Sequence, residues 1–194
     1  MNTTNGLPIP GALQLTAWLE KNSASLQPPV NNKCLYSGED FILMAVGGPN
    51  KRKDYHRLRN EWCGSYIEYD GSQEWFYQIK GDMLLKIVEN GDQFRDVVIR
   101  EGEMFLLPGN IPHSPRRQGN TIGLVMERKR PVGSIDRLRW YCENEKEHGE
   151  TPALIREEQF YCENMETQLK DVIEDWMRNE SSRECKLCGS IAAA

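Results

Sequence analysis

Short apolar runs alternate with glycine, proline and asparagine through the middle of the chain, from about residue 41 to residue 127. The runs are FILMAV, EWFYQIKG, MLLKIV, DVVI, EMFLLP and TIGLVME. Their length and the turn residues between them predict short strands, and Asn90-Gly91 predicts a hairpin because this pair readily takes positive φ angles. Since no long helical pattern interrupts the runs, the fold is expected to be an antiparallel sandwich or barrel.

Helical patterns occur on both sides of this β-rich region. Apolar residues recur at helical spacing from Ala12 to Leu19, which predicts a short N-terminal helix. A second helix is predicted from Asn164 to Asn179, where one face is apolar. The charge-rich stretch from Glu143 to Glu158 between these regions predicts a loop.

The chain has 194 residues, which suits a single well-packed domain with an extension. We expect residues 1–135 to form the β-rich body with its N-terminal helix. Residues 136–194 are expected to form a helical, cysteine-containing C-terminal extension of the same domain.

The composition narrows the expected partners and location. A formal net charge of −5 argues against nucleic acid or an anionic membrane as a partner, because both usually bind a basic face. The N-terminus lacks the pattern of a signal peptide, and no run approaches the roughly 18 apolar residues of a membrane span. We therefore expect a cytoplasmic protein whose six cysteines are reduced thiols or metal ligands.

One of the three histidines follows a buried strand and is bracketed by prolines, in EMFLLPGNIPHSPRR. Gly102, Pro108, Asn110 and His113 resemble the second motif of the cupin barrels, Gly-x5-Pro-x-Gly-x2-His. The prolines and the turn preset the backbone, so that the histidine points inward at a strand start. Asn110 replaces the motif's second glycine, and asparagine is one of the few other residues that tolerate left-handed backbone.

The first cupin motif, His-x-His followed by Glu-x6-Gly, is matched in two separate pieces. Asp54-Tyr55-His56 matches the first half, and Glu74 to Gly81 matches the second. The resemblance implies an all-β cupin, a double-stranded β-helix or jelly-roll barrel. His56, Glu74 and His113 would face its interior as a 2-His-1-carboxylate set, which binds Fe(II) and leaves positions open for substrate and O₂.

The seventeen residues from Arg57 to Gln73 separate the two pieces by more than the motif usually allows. As a longer loop between neighbouring strands they add only about 1 kcal/mol of closure entropy. Glu61 is the rival carboxylate, because its spacing from His56 is the ordinary one. Glu74 is preferred because the strand after it and Gly81 keep the motif's register. An error in the deduced sequence is a third interpretation.

Longer segments resemble the 3-hydroxyanthranilate 3,4-dioxygenase family over nearly the whole chain. These segments are GGPNKRKDYH, EWFYQIKGDMLLK, RDVVIREGEMFLLPGNIPHSP, TIGLVMERKRP and GSIDRLRWYC. The resemblance implies a homodimer with one catalytic Fe(II) per subunit. It also implies the reaction of 3-hydroxyanthranilate with O₂ to give 2-amino-3-carboxymuconate semialdehyde, on the kynurenine route to quinolinate and NAD.

The resemblance also implies roles by position. Arg52 and Arg117 would bind the substrate carboxylate, for which paired guanidinium groups are well suited. Glu127 would contact the substrate's hydroxyl and amino groups and accept a proton. Glu74 would lie against the substrate as well as the metal.

A second metal is implied in the C-terminal tail, where family members use two Cys-x2-Cys pairs to bind an iron remote from catalysis. Cys142, Cys185 and Cys188 match three of these positions, and Glu145 stands at the fourth. Cys162 is a candidate substitute at a position that the family does not use. Iron and zinc both remain candidates for this site.

Two other functions stay open from the sequence. The long segment after His56 is compatible with a catalytically impaired cupin that acts as a binding protein, and bound iron distinguishes this case. A cupin dioxygenase or isomerase acting on another acid is the second alternative, which a substrate panel tests.

Overall fold

The computed structural model describes residues 11–28, 31–50, 54–59, 73–129, 135–151, 153–161 and 165–193. Within these ranges, eleven strands form two antiparallel sheets. The first sheet contains, in spatial order, β1 (Asn32–Ser37), β2 (Phe41–Gly47), β9 (Ile122–Arg128), β4 (Glu74–Lys80) and β7 (Met104–Leu107). The second contains β11 (Ala153–Tyr161), β10 (Ile135–Cys142), β3 (Tyr55–Arg59), β8 (His113–Arg117), β5 (Met83–Glu89) and β6 (Gln93–Ile99). The β-dominated architecture expected from the apolar runs is confirmed.

The main core lies between the two sheets. Strands β4 and β5 alternate between buried and more exposed positions, as strands with one inward face do. The inward residues form one apolar cluster drawn from both sheets: Phe76, Met83, Leu85, Ile87, Ile99, Leu107 and Val125. Phe76 and Val125 of this cluster also line the cavity described below.

Two turns take the backbone conformations predicted for them. Asn90 and Gly91 join β5 to β6 with φ angles of 53° and 82°. Asn110, which replaces the motif's glycine, has a φ of 63° and precedes β8 by three residues. Asparagine tolerates this left-handed conformation better than most residues with a side chain, so the departure from the motif leaves the turn intact.

The described helices are α1 (Leu15–Lys21), α2 (Glu145–His148) and α3 (Met165–Arg178), with 3₁₀ turns at Ser23–Leu26 and Glu180–Arg183. Helices α1 and α3 confirm the two predicted ones. Trp176 of α3 stacks on Trp140 of β10 with ring centroids 4.9 Å apart, which fixes the helix against the second sheet. None of these helices has both the length and the apolar character needed to cross a membrane.

The predicted loop from Glu143 to Glu158 is wrong. Part of it forms α2, and its last residues belong to β11, which pairs with β10. The charges that suggested a loop are paired across the strands. Glu157 accepts hydrogen bonds from Arg137 Nη1 at 2.9 Å and from Arg139 Nε at 2.5 Å. Opposite charges on neighbouring strands stabilise a sheet, so a charged segment can be a strand when its partner is complementary.

Candidate metal centre and substrate cavity

The two sheets each contribute a pair of ionisable side chains to the space between them. In the second sheet His56 of β3 lies directly opposite His113 of β8, with ring centroids 5.9 Å apart. In the first sheet Glu74 of β4 lies directly opposite Glu127 of β9. All four line the same cavity. The strand registers therefore bring together residues from four distant parts of the chain.

Three of these side chains form a group with metal-binding geometry. His56, Glu74 and His113 each offer one ligand atom, and these atoms lie within 4.8 Å of one another. His113 Nε2 is 3.2 Å from Glu74 Oε1, while its Nδ1 is 3.0 Å from the carbonyl oxygen of Ile111. A proton on Nδ1 that is donated to this carbonyl leaves Nε2 free to bind a metal, as in most histidine ligands. The donor set suits a metal such as Fe(II).

The electrostatics of the site also favour a bound cation. Burial alone would lower the pKa of His113, but the carboxylate of Glu74, the Ile111 carbonyl and the charge of Glu127 outweigh it, so the net shift is upward. Glu74 and Glu127 are buried and directly opposite each other, an arrangement in which like charges repel. A divalent metal at this point would reduce the repulsion.

Arg117, the last residue of β8, is a buried cation beside this group. Its Nη1 donates to Gln78 Oε1 at 2.7 Å, and its backbone N–H donates to Asn50 Oδ1 at 2.7 Å. Its Nη2 is buried and has no hydrogen-bond partner among the described residues. Burial lowers the pKa of Arg117 to about 10, which still leaves the guanidinium charged at neutral pH. A side chain at Gly123 would collide with Gln78 and Arg117, so glycine makes room for this pair.

The cavity has a volume of about 180 Å³. Its polar lining includes the metal-binding group, Arg117 and Glu127. An apolar wall is formed by Met44, Val46, Phe76 and Val125. An aromatic ring against this wall, with one charged substituent toward Arg117, would suit both surfaces.

Five of the residues predicted for the catalytic site come together here: His56, Glu74, His113, Arg117 and Glu127. Arg52 and Glu61 lie outside the described residues. The segment from Arg57 to Gln73 is described only at its ends, where its first three residues belong to β3. Of the two candidate carboxylates, the structure therefore describes only Glu74, whose Oε1 lies 3.2 Å from His113 Nε2.

Sequence reasoning missed the residues that hold the site in place. Gln78 is fully buried and bonded to Arg117. Asp136 is also fully buried, and its Oδ2 lies 3.3 Å from His56 Nε2. For Gln78 a signal did exist, because it shares the inward-facing parity of Glu74 along β4. Asp136 had no such signal, since its partner lies 80 positions away.

The tail cysteines form a second group at the end of β10. Cys142, Cys185 and Cys188 come together as predicted, and the fourth donor in the group is His148, with all donor atoms within 4.8 Å of one another. Glu145, at the position where the family has cysteine, is exposed. Cys162 lies outside the described residues.

The chain is similar to known proteins over most of its length. A family model described as 3-hydroxyanthranilic acid dioxygenase matches residues 9–177. A protein named 3-hydroxyanthranilate 3,4-dioxygenase 2 from Aspergillus clavatus is 55% identical over 194 residues, covering 97% of this chain and 98% of the relative. Its namesake from Aspergillus oryzae is 59% identical, covering 91% and 94%.

The chain is also similar, at lower sequence identity, to a third named enzyme and to a solved structure. The 3-hydroxyanthranilate 3,4-dioxygenase of Mycosarcoma maydis is 48% identical, covering 97% of both chains. A solved cupin-2 domain protein from Shewanella frigidimarina is 12% identical with a TM-score of 0.33, covering 50% of this chain and 79% of that one, a likeness too remote to add weight. Because the family model and these relatives match most of its length, the chain belongs to the 3-hydroxyanthranilic acid dioxygenase family.

Proposed function

We propose that this chain is an Fe(II)-dependent ring-opening dioxygenase that converts 3-hydroxyanthranilate and O₂ to 2-amino-3-carboxymuconate semialdehyde. The observation that carries the proposal is the placement of a His-Glu-His group and a buried arginine in one small cavity. An aromatic acid with adjacent hydroxyl and amino groups has the chemical features that such a cavity can bind. The names of the family's members support the same substrate.

His56, Glu74 and His113 are the residues that would hold the iron. Two imidazoles and one carboxylate leave part of the coordination sphere for other ligands. Bound Fe(II) supplies the redox chemistry between the aromatic ring and O₂. Asp136 beside His56 and the Ile111 carbonyl beside His113 would hold the two rings in orientation.

The remaining cavity residues bind and orient the substrate in this proposal. Arg117 Nη2 would bind the carboxylate, while Gln78 holds the guanidinium through Nη1. Charge-assisted hydrogen bonds of this kind are among the strongest in proteins. Glu127 would lie near the hydroxyl and amino groups and accept the proton released when the hydroxyl ionises. Arg52 is proposed as a second carboxylate ligand from its position in the sequence alone.

Oxygen uptake tests the proposal. The purified chain is reconstituted with Fe(II) under anaerobic conditions, and 3-hydroxyanthranilate and O₂ are then added. We expect one O₂ consumed per substrate, with the semialdehyde as product. His113→Ala should lose catalytic-site iron and activity together while remaining folded. Full iron at that site in this variant would contradict the ligand assignment.

The same experiment separates the other functions. An impaired cupin would retain little iron at the catalytic site even after Fe(II) is supplied. A cupin dioxygenase for another acid would bind iron but consume O₂ only with a different member of a substrate panel. The described residues offer no observation that favours either alternative over the dioxygenase.

Further expectations rest on the resemblance to the family. We propose a homodimer, which sedimentation analysis tests, and a cytoplasmic location, which imaging of a tagged chain tests. We also propose that the tail cysteines hold a second metal with a structural role. The role of the chain in the pathway to quinolinate and NAD follows if 3-hydroxyanthranilate is the substrate.

A further inference from the structure

We infer that His148 is the fourth ligand of the tail metal, so that Cys142, His148, Cys185 and Cys188 form a closed Cys₃His site that selects zinc. The family pattern assigns a cysteine to the position of Glu145. In this chain the fourth ligand is instead a histidine, His148, three residues after that position. The inference deepens the proposed second metal and is independent of the dioxygenase activity.

The distances between donor atoms match those around a tetrahedral zinc ion. Zn–S bonds of about 2.3 Å and Zn–N bonds of about 2.0–2.1 Å give tetrahedral edges of about 3.8 Å between two sulfurs and about 3.6 Å between sulfur and nitrogen. Cys142 Sγ and Cys188 Sγ are 3.8 Å apart. His148 Nε2 is 3.3 Å from Cys188 Sγ and 3.5 Å from Cys185 Sγ. A disulfide would require sulfurs about 2.05 Å apart, and these cysteines are free.

The short helix α2 explains why the ligand is His148 and not Glu145. Residues three apart on a helix lie on one side of it, and of these two only His148 has its donor atom in the cysteine group. Glu145 begins α2 and is exposed, whereas His148 ends it and is half-buried. Gly149 follows with a φ of 60° and turns the chain away immediately. The helix therefore presents His148 to the cluster.

The surroundings are those of a structural metal site. Cys142 and Cys185 are almost completely buried and pack with Ala153. Cys185 to Gly189 form a tight turn, with the Gly189 N–H bonded to the Cys185 carbonyl at 2.8 Å. Four protein ligands leave no position for a substrate, which distinguishes a structural zinc site from a catalytic one.

The ligand set decides the metal. Three thiolates with one imidazole are a common structural zinc set, and divalent zinc binds such sites more tightly than divalent iron does. Binding would release the protons of the three thiols without any redox step. The metal would join the end of β10, helix α2 and the C-terminal tail, three segments that otherwise meet through few hydrogen bonds among the described residues, such as Asn144 Nδ2 to Ser190 Oγ at 2.8 Å.

Metal binding in a chain with a disabled catalytic site tests the inference. His113→Ala removes the other site, so that the metal measured belongs to the tail whatever the activity of the enzyme. We expect one Zn²⁺ per chain, and with Co²⁺ the absorption of a tetrahedral thiolate complex. Adding His148→Ala should weaken zinc binding by at least about 10- to 100-fold. That is the usual loss when a residue that only supports a ligand is replaced, and His148 is proposed to be a ligand itself. Glu145→Ala is the matched control from the same helix and should change nothing.

His148→Cys keeps the test decisive if the alanine variant folds poorly. It should restore tight binding and raise the thiolate-to-cobalt absorption by about a third, because three thiolates become four. Unchanged cobalt affinity and spectrum in His148→Ala would overturn the assignment, as would loss of metal in Glu145→Ala alone. Retention of iron when Fe²⁺ and Zn²⁺ compete in equal amounts would overturn the choice of zinc. The absence of any bound metal in the His113→Ala chain would overturn the site itself.

Discussion

Arg117 is the buried cation through which the proposed substrate would be recognised, and its replacement by alanine gives the most direct test of that role. Its Nη1 is already bonded to Gln78, so Nη2 is the part of the guanidinium that remains for a ligand. A hydrogen bond to a charged group contributes about 1.5–3 kcal/mol. At about 1.36 kcal/mol per factor of ten, Arg117→Ala should weaken substrate binding by about 10- to 160-fold.

The assay compares two substrates and two arginines. KM for 3-hydroxyanthranilate should rise in Arg117→Ala, whereas KM for 2-aminophenol, which lacks the carboxylate, should not. Arg116→Ala is the matched control, since Arg116 is the neighbouring residue on β8 and its Nη2 lies 3.5 Å from Glu143 Oε1. Bound iron should be unchanged in both variants. An equal loss with both substrates, or an unchanged KM for 3-hydroxyanthranilate, would refute the carboxylate role.

The effect on folding must be separated from the effect on binding. Arg117→Ala leaves the side-chain oxygen of the fully buried Gln78 without its donor, which should cost about 1–3 kcal/mol of stability. Replacing both partners, as Arg117→Met with Gln78→Leu, should recover most of this stability because both polar groups are removed. The double variant should still bind 3-hydroxyanthranilate weakly. Recovery of binding together with stability would show that Arg117 acts only through the fold.

Substitutions at four other positions have distinct expected outcomes. Gln78→Leu alone should raise KM for 3-hydroxyanthranilate more than it lowers kcat, with iron retained, because Arg117 loses its orientation; an equal effect on 2-aminophenol would argue against a positioning role. Glu127→Gln should keep iron but lower kcat, whereas Glu74→Gln should lose iron, so metal analysis beside steady-state kinetics distinguishes the two carboxylates. Asn110→Ala should be less stable than Asn110→Gly by about 1 kcal/mol in urea unfolding, because both lack the side-chain amide and only alanine is strained at a φ of 63°; equal stability of the two would show that the turn has relaxed.

Local sequence patterns predicted a large part of this site. The prolines around His113 and the left-handed residue before it are local features, and the structure has the turn that they predict. Glu74, which was preferred because the strand after it and Gly81 keep the motif's register, is buried at the start of β4. Such features depend on the backbone preferences of a few adjacent residues, so they can be predicted without knowing the rest of the fold.

The predictions that failed or were missing depended on partners far away in the sequence. The segment around Glu157 looked like a loop because its charges were counted without Arg137 and Arg139, which neutralise them across β10 and β11. His148 was overlooked because it matches none of the ligand positions that the family resemblance implies. It becomes a candidate ligand only when the tail brings Cys185 and Cys188 beside it.

The sequence by itself determined the strand-rich fold, the turn before His113 and the two longer helices, and its resemblance to a family supplied the residues of the proposed catalytic group. Only the tertiary structure decided that Gln78 holds Arg117, that Glu127 lies opposite Glu74, and that a histidine completes the cysteine group. For the cysteine group the physical reason is the return of the C-terminal tail to helix α2, and for the contacts between strands it is strand register. A shift of one residue turns every side chain of a strand to its other face, and the packing of both sheets together sets the register. Contacts between strands can therefore not be predicted from a local sequence pattern.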